Sequence, residues 1–218
     1  MPLKPLKITF NLASRMVDPD KPIHLDGLLA WARVQQAIRA DEPNPYNFGN
    51  NLPLAKETQD SLSVWKASAL LFERKHVESF AFTKRNDPHD IAIKKRENNK
   101  GILEFGKKNK VDLQRGAYKQ FQDFIPTIWP NKIVAYCVGD KTEIKNLLNE
   151  ISFLGKYSRM GLGKIKSIQI EEDDTAQELW QQRFMPWPVD EYFPLTGKAT
   201  PPYWDHNITD IFSPETIW

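Results

Sequence analysis

The sequence predicts an α+β fold. Residues 6–12 alternate apolar and polar, residues 144–154 place apolar side chains at helical spacing behind a capping acid, and residues 132–138 form an almost unbroken apolar run just before that helix. The first pattern is that of a half-buried strand, the second of an amphipathic helix and the third of a central strand. At 218 residues and 40% hydrophobic content the chain has material for one domain with a large insertion, or two small ones.

Leu6, Ile8, Phe10 and Leu12, separated by Lys7, Thr9 and Asn11, define the first strand. A turn-like Asp18-Pro-Asp-Lys-Pro22 follows, and Asp26 is positioned to cap a helix whose apolar stripe is Leu28, Trp31, Val34 and Ile38, ending before Pro43. Beyond a loop over residues 42–53, Ala69-Leu-Leu-Phe72 and Phe80-Ala-Phe82 are short strand-prone runs. Residues 83–118 are basic and poor in large apolar side chains, which predicts an insertion, with a small hairpin pairing residues 91–95 and 102–105. Asp140 and Glu143 open the second helix in capping-box fashion, Ile144, Leu147, Leu148, Ile151 and Leu154 form its face, and Gly155 closes it. A last strand runs through Ile165, Ile168 and Ile170.

The resulting order, β-α-β-(insertion)-β-α-β, is the ferredoxin-like, RRM-like split βαβ arrangement. It places the core at 1–82 and 119–184, the insertion at 83–118 and a C-terminal extension at 185–218. The extension holds six of the 16 prolines together with Trp187, Trp204 and Trp218. That composition predicts an extended tail wrapping the core or a partner.

Charge is unevenly spread. Residues 90–119 hold nine Lys/Arg against four Asp/Glu, while the whole chain nets +2, so the remainder is acidic. Within the insertion Lys94, Lys95, Arg96, Lys107, Lys108, Lys110, Arg115 and Lys119 are interleaved with Phe105 and Tyr118. Cations with aromatic rings suit phosphate neutralisation and base stacking, whereas most charge runs are simply solvated faces. A second basic element is Gly155-Lys-Tyr-Ser-Arg-Met-Gly-Leu-Gly-Lys164, in which Lys156, Arg159, Lys164 and the following Lys166 accompany no acid, and Gly161 and Gly163 permit close backbone approach. The loop enters a strand, so it is neither a P-loop nor a dinucleotide fingerprint, both of which open a helix. Two basic elements in one fold favour nucleic acid.

The remaining signals argue against other chemistries. Cys137, the single cysteine, sits inside Ile133-Val-Ala-Tyr-Cys-Val138 and reads as a buried small hydrophobe. His24, His76, His89 and His206 form no metal-ligand pair, and Glu171-Glu-Asp-Asp174 reads as a solvated strand exit, so neither a metal nor another cofactor is expected. The chain shows no run of 18 apolar residues and no signal-peptide pattern at its start, which predicts a cytoplasmic protein without membrane contact. His24 with His76 or Tyr157 is the only visible outline of a metal-independent ribonuclease, and a histidine beside a helix cap is more often a structural hydrogen-bonder.

Ile23-His-Leu-Asp-Gly-Leu-Leu-Ala-Trp-Ala32, the loop ending Met160-Gly-Leu-Gly-Lys164 and the tail Pro201-Pro-Tyr-Trp204 together resemble the Cas-five-like RAMP subunits of type IV CRISPR systems, the third Csf protein family. The resemblance spans most of the chain and is weakest in the insertion. It implies a RAMP core and a non-catalytic subunit that holds the 5′ handle of the crRNA and caps a backbone of Cas-seven-like subunits. The insertion corresponds to the family's thumb, and the glycine loop to its RNA-contacting loop, which makes Lys156, Ser158, Arg159, Gly161, Gly163, Lys164 and Lys166 the expected RNA contacts. Further implied partners are the large effector subunit and target DNA, including the PAM-side duplex. Some relatives with this fold cut CRISPR transcripts, so an endoribonuclease is the alternative; an interaction module without RNA is a third reading.

Overall fold

β1 (Lys4–Leu12) forms where the alternation predicts it and is the centre of the main sheet of this computed structural model. The structure describes residues 2–72, 77–85, 114–115, 119–130, 132–203 and 209–218. In chain order β1 is followed by β2 (Met16–Val17), α1 (Leu25–Arg39), β3 (Lys56–Gln59), β4 (Leu62–Trp65), β5 (Glu78–Lys84) and β6 (Phe121–Ile128). Then come β7 (Ile133–Gly139), α2 (Lys141–Leu148), β8 (Ile165–Glu172), α3 (Ala176–Leu179), β9 (Phe193–Gly197) and β10 (Thr209–Ser213). The architecture is α+β, with small antiparallel sheets and few helices. Contacts divide the chain into two units, Met1–Val77 with Ile128–Trp218, and Glu78–Thr127.

In the larger unit β7 and β8 flank β1, both antiparallel, so that Ile8 lies between Ala135 and Ile170. Leu6, Ile8 and Phe10 are buried on one face, against Leu25 and Leu29 of α1 and Ile144, Leu147 and Leu148 of α2. Residues 66–71 lie on the far side of β7. The Ser68 N–H donates to Tyr136 O at 2.8 Å, Val138 N–H to Lys66 O at 2.9 Å, and Leu71 and Val134 exchange N–H···O bonds. The expected strand at 69–72 is thus not a regular one. At Tyr136 the N–H donates to the Ser68 hydroxyl rather than to a carbonyl, and Leu70 and Ala69 turn their N–H groups to Ile23 and Gln182. The ladder is broken by these outside claims.

Both helices depart from expectation in instructive ways. Asp26 does not cap α1; His24 occupies the N-cap position, without a side-chain cap bond. The core face of α1 is Leu25, Leu29, Ala30, Ala32 and Ala37, whereas Trp31 and Ile38 are 50% and 44% exposed. Small alanines let the helix sit close to the sheet, and the larger side chains fall on the rim. In α2 the Asp140 carboxylate does cap, accepting from the N–H groups of Thr142 and Glu143 at 2.9 and 3.0 Å. The helix ends at Leu148, yet Ile151 and Leu154 remain buried in the same core beyond it.

A second apolar cluster covers the opposite face on the β7 side. Val138 and Ala69 meet Trp180, Phe184, Met185, Trp187, Ile211 and Ile217 there, and α3 packs on β7 and β1. The C-terminal stretch is therefore more than an extended tail. Its β9 and β10 pair antiparallel, Ile211 opposite Leu195, and Met185 and Phe212 exchange backbone bonds at 2.8 Å. The hairpin β3–β4 has no counterpart in the sequence expectations. Its turn residues Asp60 and Ser61 both have positive φ, the geometry of a two-residue hairpin turn made here without glycine.

In the smaller unit β5 and β6 pair antiparallel with Phe80 opposite Ile125, and Phe82 meets the edge of Phe121 at 5.6 Å. The run Phe80–Phe82 is thus part of β5. The hairpin expected from residues 91–95 and 102–105 lies outside the described residues. No helix among the described residues is long and apolar enough to cross a membrane.

Candidate nucleic-acid interface

Residues 155–164 connect Leu154, at the end of the α2 segment, to β8, and the connection is tightly held. The Gly163 N–H donates to Arg15 O at 2.7 Å, Leu154 N–H to Gly163 O at 2.8 Å, and Ala13 N–H to Lys164 O at 2.7 Å. Ser14 works in both directions: its hydroxyl donates to Gly161 O at 2.7 Å and accepts the Lys164 N–H at 2.9 Å. Ser158–Met160 make one 3-10 turn, closed by Met160 N–H to Tyr157 O and Gly161 N–H to Ser158 O, each 2.9 Å. Tyr157, Gly155, Gly161 and Gly163 all have positive φ.

The two glycines in the expected contact set differ. At Gly163, with φ +73, a Cβ would stand 1.9 Å from Leu154 O, so the residue must be glycine for the loop to pack. At Gly161, with φ +80, nothing lies within 4 Å of a Cβ, leaving that side open. Not every backbone N–H of this loop is free to meet a phosphate. Those of Met160, Gly161, Gly163 and Lys164 are spent inside the protein. Side chains remain. Lys156 pairs with Asp20 at 2.9 Å across two exposed groups, and that ammonium holds the Asp20 carboxyl below its ordinary range. Arg159, Lys164 and Lys166 have no ion-pair partner among the described residues, and all three are exposed, as is Ser158.

Of the other expected contacts, Arg115 is exposed in the smaller unit, with Lys119 and Phe121 nearby in sequence and also exposed. Lys94, Lys95, Arg96, Lys107, Lys108, Lys110 and Tyr118 lie outside the described residues.

The acidic exit of β8 carries one exposed and one half-buried ion pair. Glu172 meets Lys4 at 2.8 Å, and Asp173 meets Lys7 at 3.7 Å while accepting the N–H and hydroxyl of Thr175. Among the described residues no group of His, Cys, Asp and Glu could hold a metal ion. The Cys137 thiol is buried and free, and burial pushes it up to about 12.

His24 is neither exposed nor a hydrogen-bonder. It is stacked on Tyr203 at 4.7 Å and tilted against Phe184 at 4.6 Å, and neither ring nitrogen has a partner. Desolvation, then the nearby Arg183 cation, pushes its pKa well below the usual histidine value. The ring thus lies buried between two aromatic side chains.

Sequence reasoning missed Arg183 altogether. Fully buried, it donates to Asp26 Oδ2 at 2.9 Å, to the Tyr203 hydroxyl at 2.9 Å, to Trp65 O and Ala67 O at 2.7 and 2.9 Å, to Phe184 O at 3.1 Å, and to Ala199 O. Tyr203 in turn donates to Asp26 Oδ1 at 2.7 Å. Asp26 of the first motif and Tyr203 of the tail motif thus meet in one buried network, a structural anchor for the C-terminal layer. Their joint presence was the available signal.

Compared with known protein families, the chain matches the family model described as CRISPR type IV associated protein Csf3 over residues 4–212, almost its whole length. No curated protein matches it.

Proposed function

The chain belongs to the Csf3 family of CRISPR type IV associated proteins, and from that membership we propose that it is a non-catalytic crRNA-binding subunit of a type IV effector ribonucleoprotein. In this reading it anchors the 5′ handle of the guide, caps a Cas-seven-like backbone, neighbours the large subunit and acts in the cytoplasm. The observation that carries it is the glycine loop. A rigid connection whose shape is fixed by Ser14, Arg15 and Gly163 presents Arg159, Lys164 and Lys166 outward. Fixed cations position a phosphate backbone without choosing its sequence.

We read the core as a ferredoxin-like RAMP domain. The order β8-β1-β7, with residues 66–71 bonded to the outer side of β7 and two helices on one face, supports it. The thumb role of residues 83–118 and contact with PAM-side DNA belong to the same proposal and rest on the resemblance. The ribonuclease alternative loses its most visible base, since His24 is buried without a partner.

The test is binding of the purified chain, free and with its Cas-seven-like partner, to labelled crRNA with and without its 5′ handle, with a gel for cleavage. Handle-dependent binding without cleavage, weakened by Arg159→Ala and Lys164→Ala with the salt slope reduced by about one per cation removed, is expected. Specific cleavage, or no binding in either state, would overturn the reading.

A further inference from the structure

The face of the main sheet opposite the two helices is only half covered. Over β7 it carries the C-terminal apolar cluster, and α3 reaches β1. Over β8 it is open: Ser167, Gln169 and Glu171, the residues that point away from the core, are exposed. The register sets Ser167 opposite Asn11 and Gln169 opposite Thr9. Asn11 Nδ2 donates to Ser167 Oγ at 3.1 Å, which fixes the amide's orientation and leaves its carbonyl oxygen and the Ser167 hydroxyl proton for a ligand.

This strip starts at the basic loop. Lys164 and Lys166 stand at one end, Glu171, Glu172, Asp173 and Asp174 at the other, and the four residues 167–170 between them carry no charge. Lys4 and Lys7 pair with Glu172 and Asp173, so Glu171 and Asp174 are the acids that face a polyanion there; the strand is held at the basic end and runs only a short way along the strip. Strand geometry spaces Ser167 and Gln169 about 7 Å apart, close to one sugar-phosphate repeat. Carboxamides and hydroxyls are the groups that read base edges, Asn and Gln in paired fashion, and unstacked RNA bases offer those edges.

We propose that the outer face of β8 is a base-reading ledge, on which Gln169, Ser167 and Asn11 recognise the bases of the nucleotides adjoining the phosphate held by Arg159, Lys164 and Lys166. This deepens the handle-binding reading and rests on it. The loop holds the strand, and the ledge selects it.

The experiment uses the full chain and labelled crRNA handles carrying single-base changes, titrated at several salt concentrations. With the wild-type chain one or two handle positions discriminate bases by roughly tenfold or more. Gln169→Ala, and separately the Asn11→Ala/Ser167→Ala pair, flatten that preference while leaving the salt slope unchanged. Arg159→Ala does the reverse, weakening every handle alike and lowering the slope by about one. A ledge variant that lowers affinity equally for all handles, or keeps the full base preference, would overturn the inference while leaving the handle reading intact. Wild-type chain that binds no handle RNA would overturn both.

Discussion

Arg183 and Asp26, 157 residues apart in sequence, meet at 2.9 Å with neither side chain exposed at all. The pair gives the first prediction. Asp26→Ala leaves a guanidinium buried without its carboxylate, which costs about 3–5 kcal/mol. Tyr203→Phe removes one donor and costs about 1–2 kcal/mol. Urea denaturation monitored by tryptophan fluorescence checks both. Equal small losses would mean that the network contributes little.

His24 makes stability depend on pH. Its folded pKa lies well below the usual value, through burial and the Arg183 charge, whereas the unfolded chain takes up the proton near 6.5. The unfolded state then binds more protons as the pH falls below about 6.5, so stability declines there, approaching about 1.4 kcal/mol per pH unit from this one group. Stability is fully present above that pH. His24→Phe flattens the profile between pH 7.5 and 5.5 in denaturant titrations; an unchanged slope would reassign the effect to other groups.

Gly163 and Gly161 separate two kinds of constraint. Gly163→Ala drives a methyl into Leu154 O as well as straining φ, and it lowers both stability and RNA binding sharply. Gly161→Ala meets nothing within 4 Å and costs only the positive-φ penalty, about 1–2 kcal/mol. Thermal melts and handle titrations on the two variants give the comparison.

On the proposed handle-binding reading, Asp20 competes with RNA for Lys156. The pair is exposed, so Asp20→Asn leaves the melting temperature unchanged, yet it releases a cation beside the loop. Handle affinity then rises roughly threefold at low salt and less at high salt. A fall in affinity would instead make the Asp20 pair part of the loop's functional shape.

Local features were legible in the sequence. The alternation of residues 6–12 gave β1, and Asp140 gave the start of α2, because a two-residue period and a cap are written in adjacent positions. The core face of α1 was not, because alanines 30, 32 and 37 carry no periodic signal of their own while Trp31 and Ile38 do. The strand at 69–72 was misjudged because its hydrogen bonds are shared with residues far along the chain. In the candidate interface the cations were readable from composition. That four loop N–H groups are consumed internally was not, since their acceptors include Arg15 and Ser14, about 150 positions away.

The Arg183–Asp26 contact also bears on how the protein is made. On the ribosome Asp26 emerges long before Arg183, and at about 5–20 residues per second the interval is on the order of ten seconds or more. Throughout it, the nascent first helix carries a carboxylate destined for the interior and no counter-ion. Closing that interior early is opposed by the charge, and the translation of Arg183 removes the opposition.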